Sequence, residues 1–332
     1  MISHRHILII LLSVVLAQLS GCSDEPGSEE TRHVLVGLLT NNPNGMKNIQ
    51  GFRDTMASLG YTEGENVAYT TPGKPVKGDA LDAAIQEMVA KPVDLIFTAG
   101  TPTGVAAYRL TRDQNVPVVF GVIADPIRAG VLDDLQRPGG NITGVMISQN
   151  HARRLELFLQ IAPAMKRLLV AFNPGNSAST SAYDQIAPVA KSHGVELVAR
   201  EVKNSDDVSR VLESLASGID GIFMLPDSTV NRHQQELINR AIEHKLPVSG
   251  PSIVQVEKGA LTAYGIVHTE AGGQAAGVAD KILRGTPPGE IPVEAAGIFL
   301  GVNLSTAGKL SIHVEDNILR QAHTIIRDTA GE

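Results

Sequence analysis

From Val34 onward, short apolar runs alternate with stretches whose apolar residues recur at helical spacing, which predicts a parallel α/β sheet. Residues 34–39 (VLVGLL) read as a fully buried strand, followed by a helix over 47–59 that stops at Gly60, a helix-ending glycine. Residues 80–90 place Leu81, Ala84, Ile85 and Met88 on one helical face. The alternation continues with a strand at 94–98, a helix at 102–112 and a strand at 117–122. After Gly139 and Gly140 it resumes: helix 152–161, strand 167–172, helix 182–193, strand 195–199, helix 206–216, strand 221–225, helix 231–244 and strand 247–250.

The two halves echo each other. Val93-Asp94-Leu95-Ile96-Phe97, a helix and Val116-Pro117-Val118 resemble Ile219-Asp220-Gly221-Ile222-Phe223, a helix and Leu246-Pro247-Val248. In each unit the proline opens a strand, where a missing N–H is harmless. The repeat predicts two similar lobes rather than one large sheet. Two such lobes suggest a clamp that closes over a ligand by hinge motion.

At the N-terminus, Arg5 precedes an apolar run over 7–19 (ILIILLSVVLAQL). A membrane span needs about 20 apolar residues, so this shorter run fits the core of a signal peptide. It ends at Leu19-Ser20-Gly21-Cys22, which resembles the lipobox of bacterial lipoproteins, where the cysteine is acylated after cleavage before it. The plainer alternative is an ordinary secretory signal followed by a chance cysteine. Two or three acyl chains suffice to anchor a soluble domain durably. Residues 23–32 (SDEPGSEETR) then read as a polar tether. The expected organisation is a signal peptide at 1–21, a lipidated tether at 22–33, one lobe from 34–146 with 265–288, and a second from 147–264 with 289–327.

Composition narrows the function classes. The 332 residues suit two domains, and 43 % hydrophobic with 19 % charged residues is ordinary for a globular protein. With 28 Lys and Arg against 35 Asp and Glu, the net charge is −7, so no overall basic field exists to draw nucleic acid. Tryptophan is absent and aromatics are 4 %, which supplies little ring surface for stacking. The single cysteine, Cys22, excludes an intrachain disulfide framework. No Gly-x-Gly-x-x-Gly follows a strand, and neither a phosphate-loop lysine motif nor His-Glu-x-x-His occurs. Gly175-Asn176-Ser177-Ala178-Ser179 lacks the second glycine of a nucleophile elbow. The ten histidines are scattered without metal-ligand spacing and read as solvated side chains, so neither a cofactor nor a metal is expected.

Residues 116–145 (VPVVFGVIADPIRAGVLDDLQRPGGNITGV) resemble the signature region of an ABC transporter substrate-binding protein family. That pattern holds a Pro-Val-Val-Phe strand, Asp-Pro, Gly-Leu-Val and Pro-Gly-Gly-Asn-x-Thr-Gly. Residues 94–102, 172–175, 220–223 and 301–304 add further matches in the family's order, so the resemblance spans about 34–322. It implies a type I periplasmic-binding-protein fold: two Rossmann-like lobes with parallel sheets, joined by three crossovers near 144–148, 262–267 and 286–292. It implies an extracytoplasmic protein that captures a small molecule, such as an amino acid or related carboxylate, and delivers it to an ABC permease with its ATPase. Members that bind aromatic amino acids tend to carry His-Pro and a Glu where this chain has Asn42-Pro43 and no acidic residue between Asn173 and Asn176. Both departures turn the expectation away from aromatic ligands. A ligand-sensing lipoprotein for a membrane receptor, or a lipid-anchored α/β enzyme, are the other function classes.

In open parallel sheets ligands bind beyond the carboxyl ends of the strands. The candidate ligand residues there are Thr40, Asn41, Gly100, Thr101, Asp125, Asn173, Asn176, Ser177, Asp227 and Ser252. Thr101-Pro102 reads as a helix start whose free N–H groups attract a carboxylate, or as a cap for its own helix alone. Thr40 and Asn41 read equally as ligand contacts or loop turns. Asp125 and Asp227 follow strands in opposite halves; either could take a ligand ammonium, and Asp125 could equally cap a helix.

Overall fold

The computed structural model describes residues 33–147, 150–215 and 218–327. The first half runs β1 (Val34–Thr40), α1 (Pro43–Ser58), β2 (Val67–Thr70), α2 (Asp79–Val89), β3 (Leu95–Ala99), α3 (Thr101–Thr111), β4 (Val118–Ile123) and β5 (Ile142–Met146). The second half opens with α4 (His151–Ile161), β6 (Arg167–Phe172), α5 (Ser177–Ser192), β7 (Glu196–Glu201), α6 (Ser205–Glu213) and β8 (Gly221–Phe223). It continues with α7 (Ser228–Asn231), α8 (Gln234–Glu243), β9 (Val248–Gly250), α9 (Ile253–Glu257) and β10 (Thr262–Ile266). The remaining elements are α10 (His268–Leu283), β11 (Glu294–Ala295), β12 (Ile298–Asn303), α11 (Leu304–Leu310), α12 (Asp316–Leu319) and β13 (Ala322–Ile326).

Two sheets form, ordered β11-β5-β4-β3-β1-β2 and β13-β12-β10-β9-β8-β6-β7. Every pairing is parallel except β10 with β12. The segments β2-β1-β3-β4-β5 and β7-β6-β8-β9-β10 have the same doubly wound order. The sequence echo therefore marks equivalent strands, β3 and β4 in one lobe and β8 and β9 in the other. In both sheets the order reverses between the first strand of the lobe and the third, which opens a crevice at the strands' carboxyl ends.

Strands buried on both faces need continuous apolar runs, and β3 and β4 are buried at every position. Apolar clusters sit on both faces of each sheet: Phe52 of α1 stacks on Phe97 of β3 at 4.2 Å in the first lobe, and Phe158 of α4 faces Phe223 of β8 in the second. Five helices start on an asparagine whose side chain accepts a backbone N–H: Asn42, Asn150, Asn176, Asn204 and Asn303. Each such cap is worth about 1 kcal/mol.

Helices α1 and α10 pack almost backbone to backbone. A Cβ on Gly51 would lie 2.0 Å from the Thr269 carbonyl oxygen, and one on Gly272 would lie 2.0 Å from that of Asn48. Glycine at both positions lets α10 close the first lobe although the chain reaches it from the second.

The chain passes between the sheets after Met146, after Ile266 and at Ala296–Gly297. Expected at 286–292, the third passage lies later. Glu294 and Ala295 pair with Val145 and Met146 in the first sheet, so the stretch expected to join the second lobe from 289 does so only after Ala295. A two-residue strand has no apolar run to betray it.

Candidate functional site

Eight of the ten sequence-predicted residues end or follow the strands that flank the two points of strand-order reversal, whereas Asp125 follows β4 and Ser252 follows β9, one strand away. In the first lobe, Thr40 ends β1 buried and donates its hydroxyl to the Ala99 carbonyl at 3.0 Å, tying the ends of β1 and β3 together. Asn41 accepts from Asn42 Nδ2 at 2.9 Å, and its Oδ1 would lie 2.6 Å from a Cβ on Gly100. Gly100, at φ +122°, turns β3 into α3 where a side chain would strike Asn41. Gly100 is therefore the residue before the helix, Thr101 is its first residue, and Pro102 follows. Thr101 is half-buried and caps nothing with its side chain; Thr103 instead donates to the Gly100 carbonyl at 2.7 Å.

In the second lobe Asn173 and Asn176 shape the turn between β6 and α5, accepting from Gly175 N and Ala178 N. Ser177 is exposed at the start of α5. Asp227 is fully buried, and both its oxygens are engaged within its own lobe. Oδ1 accepts from the N–H groups of Thr229 and Val230 at 2.8 and 3.2 Å; Oδ2 accepts from Asn173 N and the Ser179 hydroxyl at 2.8 and 2.7 Å. Such a carboxylate has no oxygen left for a ligand ammonium. The expectation that Asp227 holds a cationic group is corrected: it locks α5, the β6–α5 turn and the start of α7 together. Asp125 is exposed and caps a turn, accepting from Arg128 N at 2.9 Å.

A cleft of about 750 Å³ lies between the lobes, within the size range of small-molecule sites. From the first lobe Asn42, Pro43, Asn44 and Lys77 line it; from the second, Pro226, Ser228, Asn231, Arg232, Pro251 and Ser252. Ile147, Ile266 and His268 at the passages between the lobes also line it. Of the ten predicted ligand residues, Ser252 lines this cleft; its N–H and hydroxyl both donate to Gln255 Oε1, at 3.0 and 2.8 Å. Thr40, Asn41, Asn173, Asn176 and Asp227 hydrogen-bond within the loops after β1, β6 and β8, and Gly100, Thr101, Asp125 and Ser177 do not line the cleft either.

Three residues escaped the sequence reading, of which His268 lines the cleft. Arg154 of α4 is 1 % exposed, donates Nη2 to the Met224 carbonyl at 2.6 Å and rests its guanidinium 3.9 Å from the Phe223 ring centroid. Burial lowers its pKa to about 9, and Nε and Nη1 have no partner. Its signal was visible: an arginine on the apolar stripe of Leu157, Phe158 and Ile161. His151 and His268, expected to be solvated, are mostly buried, and burial lowers their pKa values to about 3 and about 4. The Arg154 charge depresses His151 further. Lys47 lowers and Glu257 raises that of His268; these two form an ion pair at 3.1 Å between α1 of one lobe and α9 of the other. Among the described residues no group of three or more His, Cys, Asp or Glu could hold a metal, and no helix is long and apolar enough to cross a membrane.

Two doubly wound lobes, three passages between them and a cleft at the strands' carboxyl ends are the architecture of a two-lobed solute-binding protein. Residues 33–326 match the ABC transporter substrate binding protein family, and the chain belongs to it. It is 27 % identical over 306 residues to a tyrosine-binding protein of Clostridioides difficile, covering 88 % of each chain. Its fold is similar to a conserved domain protein from Vibrio cholerae (TM-score 0.73, 29 % identity, 89 % of this chain and all of that one). It is also similar to an ABC domain from Streptococcus pneumonia in complex with L-Trp (TM-score 0.74, 22 % identity, 89 % and 100 % covered). The family and fold are those of extracytoplasmic substrate-binding proteins that work with ABC transporters, not of enzymes.

Proposed function

We propose that this chain is a lipid-anchored solute-binding protein that captures a small molecule of amino-acid size in the interlobe cleft and delivers it to an ABC importer. Its lobes, 34–146 with 265–288 and 147–264 with the later residues, close over the ligand by hinge motion at the passages between them. The observation that carries the reading is the cleft itself, lined from both lobes at the carboxyl ends of their sheets. A ligand that touches both walls stabilises the closed form, and exclusion of water strengthens each polar contact. The tyrosine-binding relative and the L-Trp complex support an amino-acid-sized solute. Cys22, within the lipobox-like Leu19-Ser20-Gly21-Cys22 outside the described residues, is the proposed membrane anchor.

The test is a thermal-shift screen of the purified mature chain against amino acids, carboxylates, sugars and nucleosides, followed by small-angle scattering. A ligand at 100 times its Kd adds about 2.7 kcal/mol of stability. The expected result is a stabilising ligand that also reduces the radius of gyration. A stabilising ligand with an unchanged radius would overturn the clamp.

A further inference from the structure

The charge of the cleft is one-sided. Lys77 lines it from the first lobe, and Arg232 and Lys258 line it from the second. None of the three has a carboxylate partner among the described residues; the nearest polar contact of Lys258 is Gln235 Oε1 at 3.4 Å. No Asp or Glu lines the cleft. The chain as a whole runs the other way, with 35 acidic against 28 basic residues, so this excess does not follow from composition. Two 16-residue helices also begin here: Pro43 opens α1, His268 opens α10, and both line the cleft. Their N-termini add positive potential at the same place.

An α-amino acid would bring an ammonium into this field. No carboxylate in the lining offers that group a partner, and closure of the cleft would bring it beside three cations, which disfavours it. Asp227, the buried carboxylate of the bordering loops, has both oxygens filled by Asn173, Ser179, Thr229 and Val230. The apolar part of the lining is Pro43, Ile147, Pro226, Pro251, Val254 and Ile266; the single ring other than proline is that of His268. This wall suits a short aliphatic chain rather than an aromatic side chain.

Resting on the solute-binding reading above, we propose that the cleft takes a small aliphatic dianion, a dicarboxylate or an organic phosphate, that carries no ammonium. Arg232 and Lys258 hold it from the second lobe and Lys77 reaches it from the first, so that neutralising the shared positive charge draws the lobes together.

The test uses matched probes on the purified mature chain: glutarate against L-glutamate, which adds only the ammonium, with citrate and glycerol 3-phosphate as further anions. L-Tyrosine and allitol serve as the amino-acid and neutral probes. At least one of the three non-amino anions should raise Tm at 10 mM, and its Kd should weaken at least tenfold when Arg232→Glu and Lys258→Glu are combined. Arg232 is exposed and Lys258 half-buried, neither with a carboxylate partner, so the double variant should keep its fold and its ligand-free Tm. Glutarate, where it is the dicarboxylate that binds, should bind at least tenfold tighter than L-glutamate. Glutarate or citrate alone identifies the carboxylate arm, and glycerol 3-phosphate alone the phosphate arm. Equal or tighter binding of L-glutamate or L-tyrosine, or an anion affinity unchanged in the double variant, overturns the charge assignment. Stabilisation by allitol or an amino acid and by none of the anions overturns it while leaving solute binding intact. No stabilisation by any probe overturns the assignment, and a broader screen that is equally silent overturns the solute-binding reading as well.

Discussion

Asp227 Oδ2 accepts the Ser179 hydroxyl at 2.7 Å, and that pair joins the end of β8 to the first turn of α5. With Asn173 N on the same oxygen and Thr229 N and Val230 N on the other, one buried carboxylate organises three segments of the second lobe. Asp227→Ala strands these donors in a buried site, and each unsatisfied group costs about 1–3 kcal/mol, partly relieved by water. The expected loss is about 3–5 kcal/mol in chemical denaturation. Asp206→Ala, at an exposed position in the first turn of α6, should change stability by no more than about 0.5 kcal/mol. Near-native stability of Asp227→Ala would show that the loops do not depend on this carboxylate.

The position of Asp227 was legible in the sequence, but its role was not. An aspartate after an apolar strand at a sheet's carboxyl end reads alike whether it faces a ligand or its own loops. Ser179 and Asn173, which settle the matter, lie 48 and 54 residues away. Most strands and helices from β1 to β9 were legible because buried parallel strands are continuous apolar runs between amphipathic helices; β2, β12 and β13, at or next to the sheet edges, were not legible. β11 was not, having two residues, and α10 was missed because its small residues (Ala271, Gly272, Ala275, Ala276, Ala279) carry little hydrophobic contrast. Lys77, Arg232 and Lys258 lie far apart in the chain, and their convergence on one cleft is a property of the fold.

The contact of α1 with α10 gives a matched pair of glycine substitutions. Gly272→Ala would put a methyl 2.0 Å from the Asn48 carbonyl oxygen and 2.9 Å from its carbon, where backbone must move. Overpacking of this kind costs about 1–3 kcal/mol or more. Gly277→Ala in the same helix meets nothing within 4 Å and should stabilise by about 0.5–1 kcal/mol through helix propensity. Opposite signs in thermal denaturation are expected. Two substitutions of the same sign would mean that the helices can separate without cost.

Anchoring should depend on Cys22, the single cysteine of the chain. Cys22→Ser removes the thiol to be acylated, and the described helices offer no membrane-spanning alternative. The variant should leave the detergent phase in a two-phase extraction and lose incorporation of labelled palmitate. A mature-sized variant that stays with membranes would defeat the lipoprotein assignment.

The buried histidines set how stability responds to acid. His268 and His151 have pKa values lowered to about 4 and about 3 in the folded protein, against about 6.5 when unfolded. Between these limits the unfolded chain binds protons that the folded chain does not. The stability held by the neutral rings is therefore full above pH 6.5 and declines as pH falls toward 4. At 1.36 kcal/mol per pKa unit, the fall from pH 7 to 4 is worth at most about 3 kcal/mol for each ring. The Arg154 charge acts on His151, and the opposing charges of Lys47 and Glu257 act on His268, so His268→Asn should remove one increment and leave that of His151. Urea denaturation at pH 7.0, 5.5 and 4.5 measures this directly. The native protein should lose stability across the series, and the His268→Asn variant should lose less over the same interval. Parallel slopes for the two proteins would mean that the His268 ring takes its proton as readily when folded as when unfolded.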